Sequence, residues 1–337
     1  MVTIHDISRI TGYSVSTVSK AMNNYSDVNE ETRRIILSTA EKLGYIPNMN
    51  AKSLATKKSW TIGVVFEERT GSGITHHFFG KVLNEFKKHI EMNGYDLLFL
   101  SKSLGNNPKF SYYEHCIQKG VDGVILLCTN INEEHIKRLL ESSIPSVSID
   151  SNTDLTNCVH TNNYKCVYEA VEYLIKKGHR KIAHIAGALK TFIGAERLRG
   201  YKDALHDYGI PFRDDYVLKG NEYSYNQGYL RGMDIAKMTD KPTAVVCASD
   251  DLAIGLMHAF DEVGIKVPDD ISVIGFDNNE LARFTRPSLT TINQNKEKIA
   301  TEAAKILLAK IQNPKRKLVK KVIEGQLIER ESVKSLN

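Results

Sequence analysis

Residues 3–23 read TIHDISRITGYSVSTVSKAMN, and the punctuation of this stretch sets the architecture of the N-terminal part of the chain. Thr3-Ile-His-Asp6 has the S/T-x-x-D/E form of a helix start, in which a hydroxyl and a carboxylate satisfy the free N–H groups of the first turn. Ile4, Ile7 and Ile10 follow as an apolar stripe. Gly12 ends the helix, because glycine accepts the left-handed backbone of a C-terminal cap. Ser14 then caps a second short helix running to Met22, with Val18 and Met22 four apart on its inner face. Further on, Asn29 precedes Glu30 and Glu31, two acids suited to a helix N-terminus. Ile35, Ile36, Ala40 and Leu43 form the buried stripe of that third helix, and Gly44 closes it. Three short helices, the first two joined by a tight glycine turn, predict a helix-turn-helix domain.

The outer face of the second helix offers Val15, Ser16, Thr17, Ser19 and Lys20. Short polar groups, one methyl-bearing side chain and one cation suit base edges and phosphates in a major groove; they also suit a solvated helix face. Residues 1–60 hold eight Lys/Arg against five Asp/Glu, whereas the remainder holds 37 against 35. A small basic head on a nearly neutral body fits a head that meets nucleic acid, although so small an excess is common by chance. The whole chain, 337 residues with 42% hydrophobic and 25% charged residues, has room for two or three domains with real cores. Its five cysteines are odd in number and form no CxxC pair, which disfavours disulfide and metal frameworks and points to a reducing cytosol. Asp6 and Arg9 interrupt any export signal. No apolar run approaches the ~18 residues of a membrane helix. A cytoplasmic protein with no membrane partner is expected.

The segments VTIHDISRITGYSVSTVSKAMNN and VNEETRRIILSTAEKLGYIPNMNAKSLATKKSWTIGVV closely resemble the lac-repressor/galactose-repressor family of bacterial transcriptional regulators. Val2-Thr3-Ile4, Asp6, Ser14, Thr17-Val18-Ser19, Asn23, Glu31-Thr32-Arg33, Leu43-Gly44-Tyr45, Pro47-Asn48, Ala51, Ser53-Leu54 and Ile62-Gly63-Val64 carry the match. It extends, with weaker ordered motifs, over nearly the whole chain. The resemblance implies that Val15, Ser16 and Lys20 read bases, while Thr3, Thr17, Ser19, Asn23, Tyr45 and Asn48 meet phosphates. Lys20 replaces the family's common arginine and lacks its bidentate fork, and Tyr13 replaces a small apolar residue in the turn. Both departures bear on which operator is read.

Pro47 separates the third helix from a segment in which Asn48 can cap a short helix over about 49–56. So short a helix is marginal in isolation. In the family, paired hinge helices enter the minor groove and wedge a leucine between central base pairs. The matching residue is Leu54, with Ala51 and Lys52 beside it; Lys57 and Lys58 could reach phosphates. A flexible basic linker is the plainer alternative.

Beyond Trp60 the pattern alternates. Short apolar strands are predicted at 61–66, 96–100, 123–127, 146–150, 181–187, 244–250 and 272–277, each separated by a helix-length segment. Such alternation implies parallel sheets covered on both faces, and two series imply two similar lobes. Asp150, Asp250 and Asp277 end three of the strands, where ligands bind in open parallel sheets. Arg197, in GAERLRGY, can bring a donor fork to the same place. Carboxylates and an arginine suit a polyol; an aspartate after a strand also caps the next helix. The family resemblance implies effector contact for Arg197 and Asp277, and less firmly for Asp250 and Asp150. Aromatic rings pack on a sugar's C–H face. Phe78 and Phe79, which open the first helix of lobe one, and Tyr223 or Tyr225 are the candidates.

No GxGxxG, GxxxxGK[ST], nucleophile elbow or HExxH occurs, so no reaction chemistry, cofactor or metal is expected. The fold class is α/β: a helix-turn-helix head (1–46), a hinge (47–60) and a two-lobed core (61–337) resembling periplasmic sugar-binding proteins. Lobe one is placed at about 61–160 plus 292–320 and lobe two at about 161–291 plus 321–337. The expected partners are a palindromic double-stranded operator, a small-molecule effector of sugar type and a second copy of the chain. No apolar heptads follow Ser332, so a dimer is expected rather than a tail-built tetramer. The alternatives are a corepressor-type regulator binding a nucleobase or a phosphorylated effector, a solute-binding protein without DNA activity, and an enzyme on the same fold.

Overall fold

The computed structural model describes residues 2–46, 58–67, 73–103 and 110–337. The chain divides into two compact units, Met1–Ser59 and Trp60–Asn337.

The first unit holds α1 (Ile4–Thr11), α2 (Val15–Met22) and α3 (Glu30–Lys42). The Asp6 N–H bonds the Thr3 hydroxyl (3.4 Å), and the Thr3 N–H bonds the Asp6 carboxylate (3.0 Å), completing a reciprocal cap. Gly12 is left-handed, and Ser14 and Asn29 cap α2 and α3. Ile7, Val18, Ala21, Val28, Ile36 and Ala40 form the core. Ile10, expected in the stripe, is 57% exposed: steps of three lag the 3.6-residue turn by about 60° each, so the third isoleucine rotates off the buried face. Ile35 is exposed for a related reason, since adjacent helical residues cannot share one inner face.

The second unit carries two six-stranded sheets. The first has the order β11-β5-β4-β3-β1-β2, built from β1 (Thr61–Phe66), β2 (Asp96–Phe99), β3 (Gly123–Leu127), β4 (Ser146–Ile149), β5 (Asn157–Thr161) and β11 (Lys320–Ile323). All its pairings are parallel. Helices α4 (His77–Met92), α5 (Tyr112–Lys119), α6 (Glu134–Leu140) and α11 (Lys296–Gln312) complete this lobe. The second sheet has the order β12-β10-β9-β8-β6-β7, from β6 (Ile182–Ala186), β7 (Val217–Lys219), β8 (Ala244–Cys247), β9 (Ser272–Asp277), β10 (Thr290–Asn293) and β12 (Gln326–Ile328). It is parallel except at β12. Its helices are α7 (Asn163–Lys176), α8 (Phe192–Asp207), α9 (Tyr225–Ala236) and α10 (Asp250–Glu262).

The chain crosses between lobes three times, after Thr161, after Asn293 and after Ile323. The last two crossings fall a few residues later than the sequence reading placed them. Residues 292–293 continue β10 beside β9, and residues 321–323 continue β11 beside β5, because strand pairing holds each segment to its sheet until the ladder ends. The crossings lie side by side: the Asn162 N–H bonds the Ile323 carbonyl (2.8 Å), and the Thr161 hydroxyl bonds Gln294 Oε1 (2.5 Å).

Candidate functional site

In the head, α2 leaves Ser16 exposed and Val15, Thr17, Ser19 and Lys20 half-buried. Local bonds hold several of them. The Thr17 hydroxyl pairs with that of Ser14 (2.8 Å). Asn23 donates to the Ser19 carbonyl (2.9 Å), and the Thr3 hydroxyl donates to Asp6 (2.8 Å). Lys20 pairs with Asp27. Tyr45 packs half-buried against the head's core. Asn48, Ala51, Lys52 and Leu54 lie outside the described residues.

In the core, the ends of β4 and β9 turn sharply. Asp150 and Asp277 both have positive φ, 57° and 116°, a conformation that aspartate adopts more readily than most residues. One Asp150 oxygen, Oδ1, is buried and has no hydrogen-bond partner among the described residues. Burial pushes this carboxyl up to about 7, with Asp277 adding to the effect and the Arg197 guanidinium opposing it. Asp277 Oδ1 accepts from Gln294 Nε2 (2.6 Å), and the Asp277 carbonyl accepts from Lys296.

Arg197, in the second turn of α8, is 2% exposed. Its Nε donates to Asn163 Oδ1 (2.8 Å) and Nη1 to the Ala248 carbonyl. The guanidinium lies 3.8 Å from the Phe276 ring centroid and 5.6 Å from that of Tyr223. Of the two candidate tyrosines, Tyr223 is therefore the one beside Arg197, and its ring lies across Gly187, where an added Cβ would meet it at 2.1 Å. Tyr225 is exposed and bonds His258.

One expectation needs correction. Asp250 does not end a strand: β8 stops at Cys247, Ser249 caps α10 through the Leu252 N–H (3.2 Å), and Asp250 opens that helix. Both its oxygens are used inside lobe two, accepting from the Thr291 hydroxyl (2.5 Å) and the Asn279 N–H (2.6 Å). Phe78 and Phe79 pack edge-on at 5.0 Å in the core of lobe one, and Lys296 Nζ stands 6.0 Å from the Phe78 ring.

The structure also gathers residues that the sequence reading did not single out: Asn163, Asp251, Gln294 and Lys296. Burial lowers the proton affinity of Lys296, while Asp277 and Asp250 raise it. Burial and Asp277 raise Asp251, and His77 and His76 of the other lobe oppose this. Lys81 of lobe one reaches Glu280 of lobe two at 4.0 Å. The cleft thus closes on charged and polar groups from both lobes.

A helix-turn-helix head joined to a two-lobed α/β core with a polar inter-lobe cleft defines a class of DNA-binding regulators. Residues 3–48 match the bacterial regulatory proteins of the lacI family, and residues 171–333 match a periplasmic-binding-protein-like domain. The chain is 36% identical over 340 residues to a Bacillus subtilis (strain 168) protein named "Probable HTH-type transcriptional repressor ExuR", covering 100% of this chain and 99% of that one. Among solved structures, it resembles the lac repressor dimer bound to operator and the anti-inducer ONPF, with TM-score 0.82, 26% identity and 99% of each chain covered. The complex of the transcriptional regulator CelR with cellobiose is also similar, with TM-score 0.73, 25% identity, and 98% of this chain and 100% of that chain covered. The chain belongs to the lacI family and is a DNA-binding transcriptional repressor, not an enzyme. Among the described residues, no helix is long and apolar enough to cross a membrane.

Proposed function

We propose that this repressor acts in the cytoplasm as a dimer on a palindromic operator of carbohydrate-utilisation genes, and that a sugar or sugar derivative in the inter-lobe cleft releases it. The observation that carries the ligand class is the unpartnered, buried Asp150 Oδ1 beside Arg197. A buried acceptor without a donor is costly, and a ligand hydroxyl relieves it. Arg197 and Asp277 supply further donors and acceptors, and Tyr223 an apolar face. CelR, a protein of similar structure, is known in complex with cellobiose. In the head, Val15, Ser16 and Lys20 read base edges, while Thr3, Thr17, Ser19, Asn23, Tyr45 and Asn48 hold phosphates. Ala51, Lys52 and Leu54 enter the minor groove.

A panel of neutral sugars, uronic acids and sugar phosphates tests this in two readings on the full-length protein. The matching compound raises the melting temperature by mass action and weakens a gel-shift complex with a palindromic site. Asp150→Asn or Arg197→Met should remove the response to the compound and leave operator binding in place. A compound that raises the melting temperature and tightens the complex would make the effector a corepressor. No preference for two-fold symmetric sites over random duplex at low salt would overturn the operator reading.

A further inference from the structure

Away from Asp150 and Arg197, lobe one holds a second cluster of ligand-type side chains, at the end of β1. Glu67 follows β1 directly, and its N–H still bonds the Leu127 carbonyl of β3 (3.4 Å). The Glu67 side chain is only 5% exposed. His135 stands in the first turn of α6, and Glu133 just precedes that helix without capping it. His135 Nε2 lies 2.8 Å from Glu67 Oε1 and 3.5 Å from Glu133 Oε2. One donor atom from each of the three falls within 4.8 Å of the others.

His135 Nε2 faces a carboxylate oxygen of Glu67 and one of Glu133, and one feature of Glu67 calls for a cation. The other Glu67 oxygen, Oε2, is buried and takes no hydrogen bond among the described residues. Oε1, by contrast, is approached by His135, by the Tyr112 hydroxyl (3.2 Å) and by Lys102 Nζ (3.2 Å). Lys102 is the displaceable member, because its side chain is 57% exposed.

The geometry points to a divalent transition-metal site, of the Zn²⁺ class, formed by His135 Nε2, Glu67 and Glu133 with water in the remaining position. Ligands around a tetrahedral Zn²⁺ stand about 3.4 Å apart at the usual bond lengths, so the Glu133–His135 separation already fits and Glu67 needs to open slightly. An imidazole with two carboxylates selects a borderline ion over Mg²⁺ and Ca²⁺, which prefer all-oxygen shells. His135 and Glu133 keep partial exposure, which leaves a path for the ion to enter. Bound metal would clamp α6 to the end of β1.

The test uses the full-length protein stripped of metal. Zn²⁺ is titrated against a chromophoric chelator, and Co²⁺ is followed by its visible absorption. The expected result is one tight ion per chain, a rise in melting temperature and no competition from excess Mg²⁺. Loss of even an outer-shell partner costs about 10–100-fold in metal affinity, so His135→Gln should weaken uptake by at least about 10-fold. Lys102→Met should tighten it, a sign that an ordinary ion-pair cluster would not give. Glu133→Gln, which leaves no buried charge behind, carries the test if His135→Gln fails to fold. Equal uptake by wild type, His135→Gln and Glu133→Gln would overturn the assignment, as would tight binding lost only when a distant surface histidine such as His206 is replaced.

Discussion

Asp150→Asn is expected to stabilise the ligand-free protein while crippling its response to effector, and the pH dependence of the gain is the diagnostic. Asp150 sits where both burial and Asp277 disfavour its charge, so that its carboxyl titrates at about 7 instead of 3.8. A group whose acid is weakened by folding opposes folding when ionised. At about 1.4 kcal/mol per tenfold change in proton affinity, the opposition reaches about 4 kcal/mol above pH 7. The residue keeps some solvent contact, which screens part of this, so about 2 kcal/mol is the expected gain. Asparagine tolerates the left-handed backbone at this position, so the substitution adds no strain of its own. The gain should be full above pH 7, shrink as the pH falls from 7 towards 4, and vanish below about 4, where the wild-type carboxyl is neutral in both states. Scanning calorimetry at pH 8, 6 and 4 reads it as a melting-temperature rise of roughly 4 °C at pH 8. Effector affinity should fall about 10–100-fold, the cost of losing a charged hydrogen-bond acceptor. A destabilisation at pH 8, or the same change at all three pH values, would show that the carboxylate is already satisfied and that the reasoning is wrong.

Gly187→Ala puts a Cβ 2.1 Å from the Tyr223 ring, so the ring must move; effector affinity measured by calorimetry should drop while operator binding stays unchanged. Gly275→Ala would meet Asp250 Oδ1 at 2.2 Å and Leu289 at 2.9 Å, and both neighbours are fully buried; unfolding in urea should show a loss of about 1–3 kcal/mol, typical of overpacking. Asp27→Asn releases Lys20 from its exposed ion pair; stability should change by less than about 0.5 kcal/mol, and gel shifts at low salt should show tighter operator binding. Gln294→Leu leaves Thr161 and Asp277 without the side chain that joins them; the ratio of operator affinities with and without effector should move towards one, even where each binding step survives.

The helix ends of the head were legible because their signals are local. Thr3 with Asp6, Gly12, Ser14 and Asn29 each mark a helix end through bonds spanning three or four residues. Apolar runs likewise gave β1, β2, β3, β4, β6, β8 and β9. The strands that the pattern did not give, β5, β7, β10, β11 and β12, are short or polar. NCVHT and TTIN are buried strands whose polar side chains find partners from elsewhere: Asn157 donates to the Ser146 carbonyl (2.8 Å) and accepts from the Val319 N–H (3.0 Å), and the Asp250 carboxylate takes the Thr291 hydroxyl. Composition reads such strands as loops because their partners are distant in sequence. The same holds at the cleft. Arg197 and Asp277 stood out through family resemblance and strand position, but Asn163, Gln294 and Lys296 matter only through folding: Asn163 meets Arg197 from 34 positions away, and Gln294 meets Thr161 from 133. Asp250 was misplaced because an apolar run cannot tell the last residues of a strand from the cap of the helix that follows.

The cleft and the crossings share side chains, and this suggests how a ligand's presence is transmitted. Gln294 lies on the second crossing and is buried; it takes the hydroxyl of Thr161, at the first crossing, on one end and donates to Asp277 on the other. Lys296, which opens α11 in lobe one, holds the Asp277 carbonyl from the other side. A ligand hydroxyl that competes for Asp277 therefore competes with Gln294, the amide whose other end ties the two crossings together. Any ligand that binds the two lobe geometries unequally shifts their balance by that difference and no more. Linkage also requires the operator to alter effector affinity by the same factor. If Asp277 holds the effector, as proposed, the Gln294 amide is one route of coupling, and its contribution is the difference in how well that amide, Asp277 and the ligand are satisfied in the two geometries.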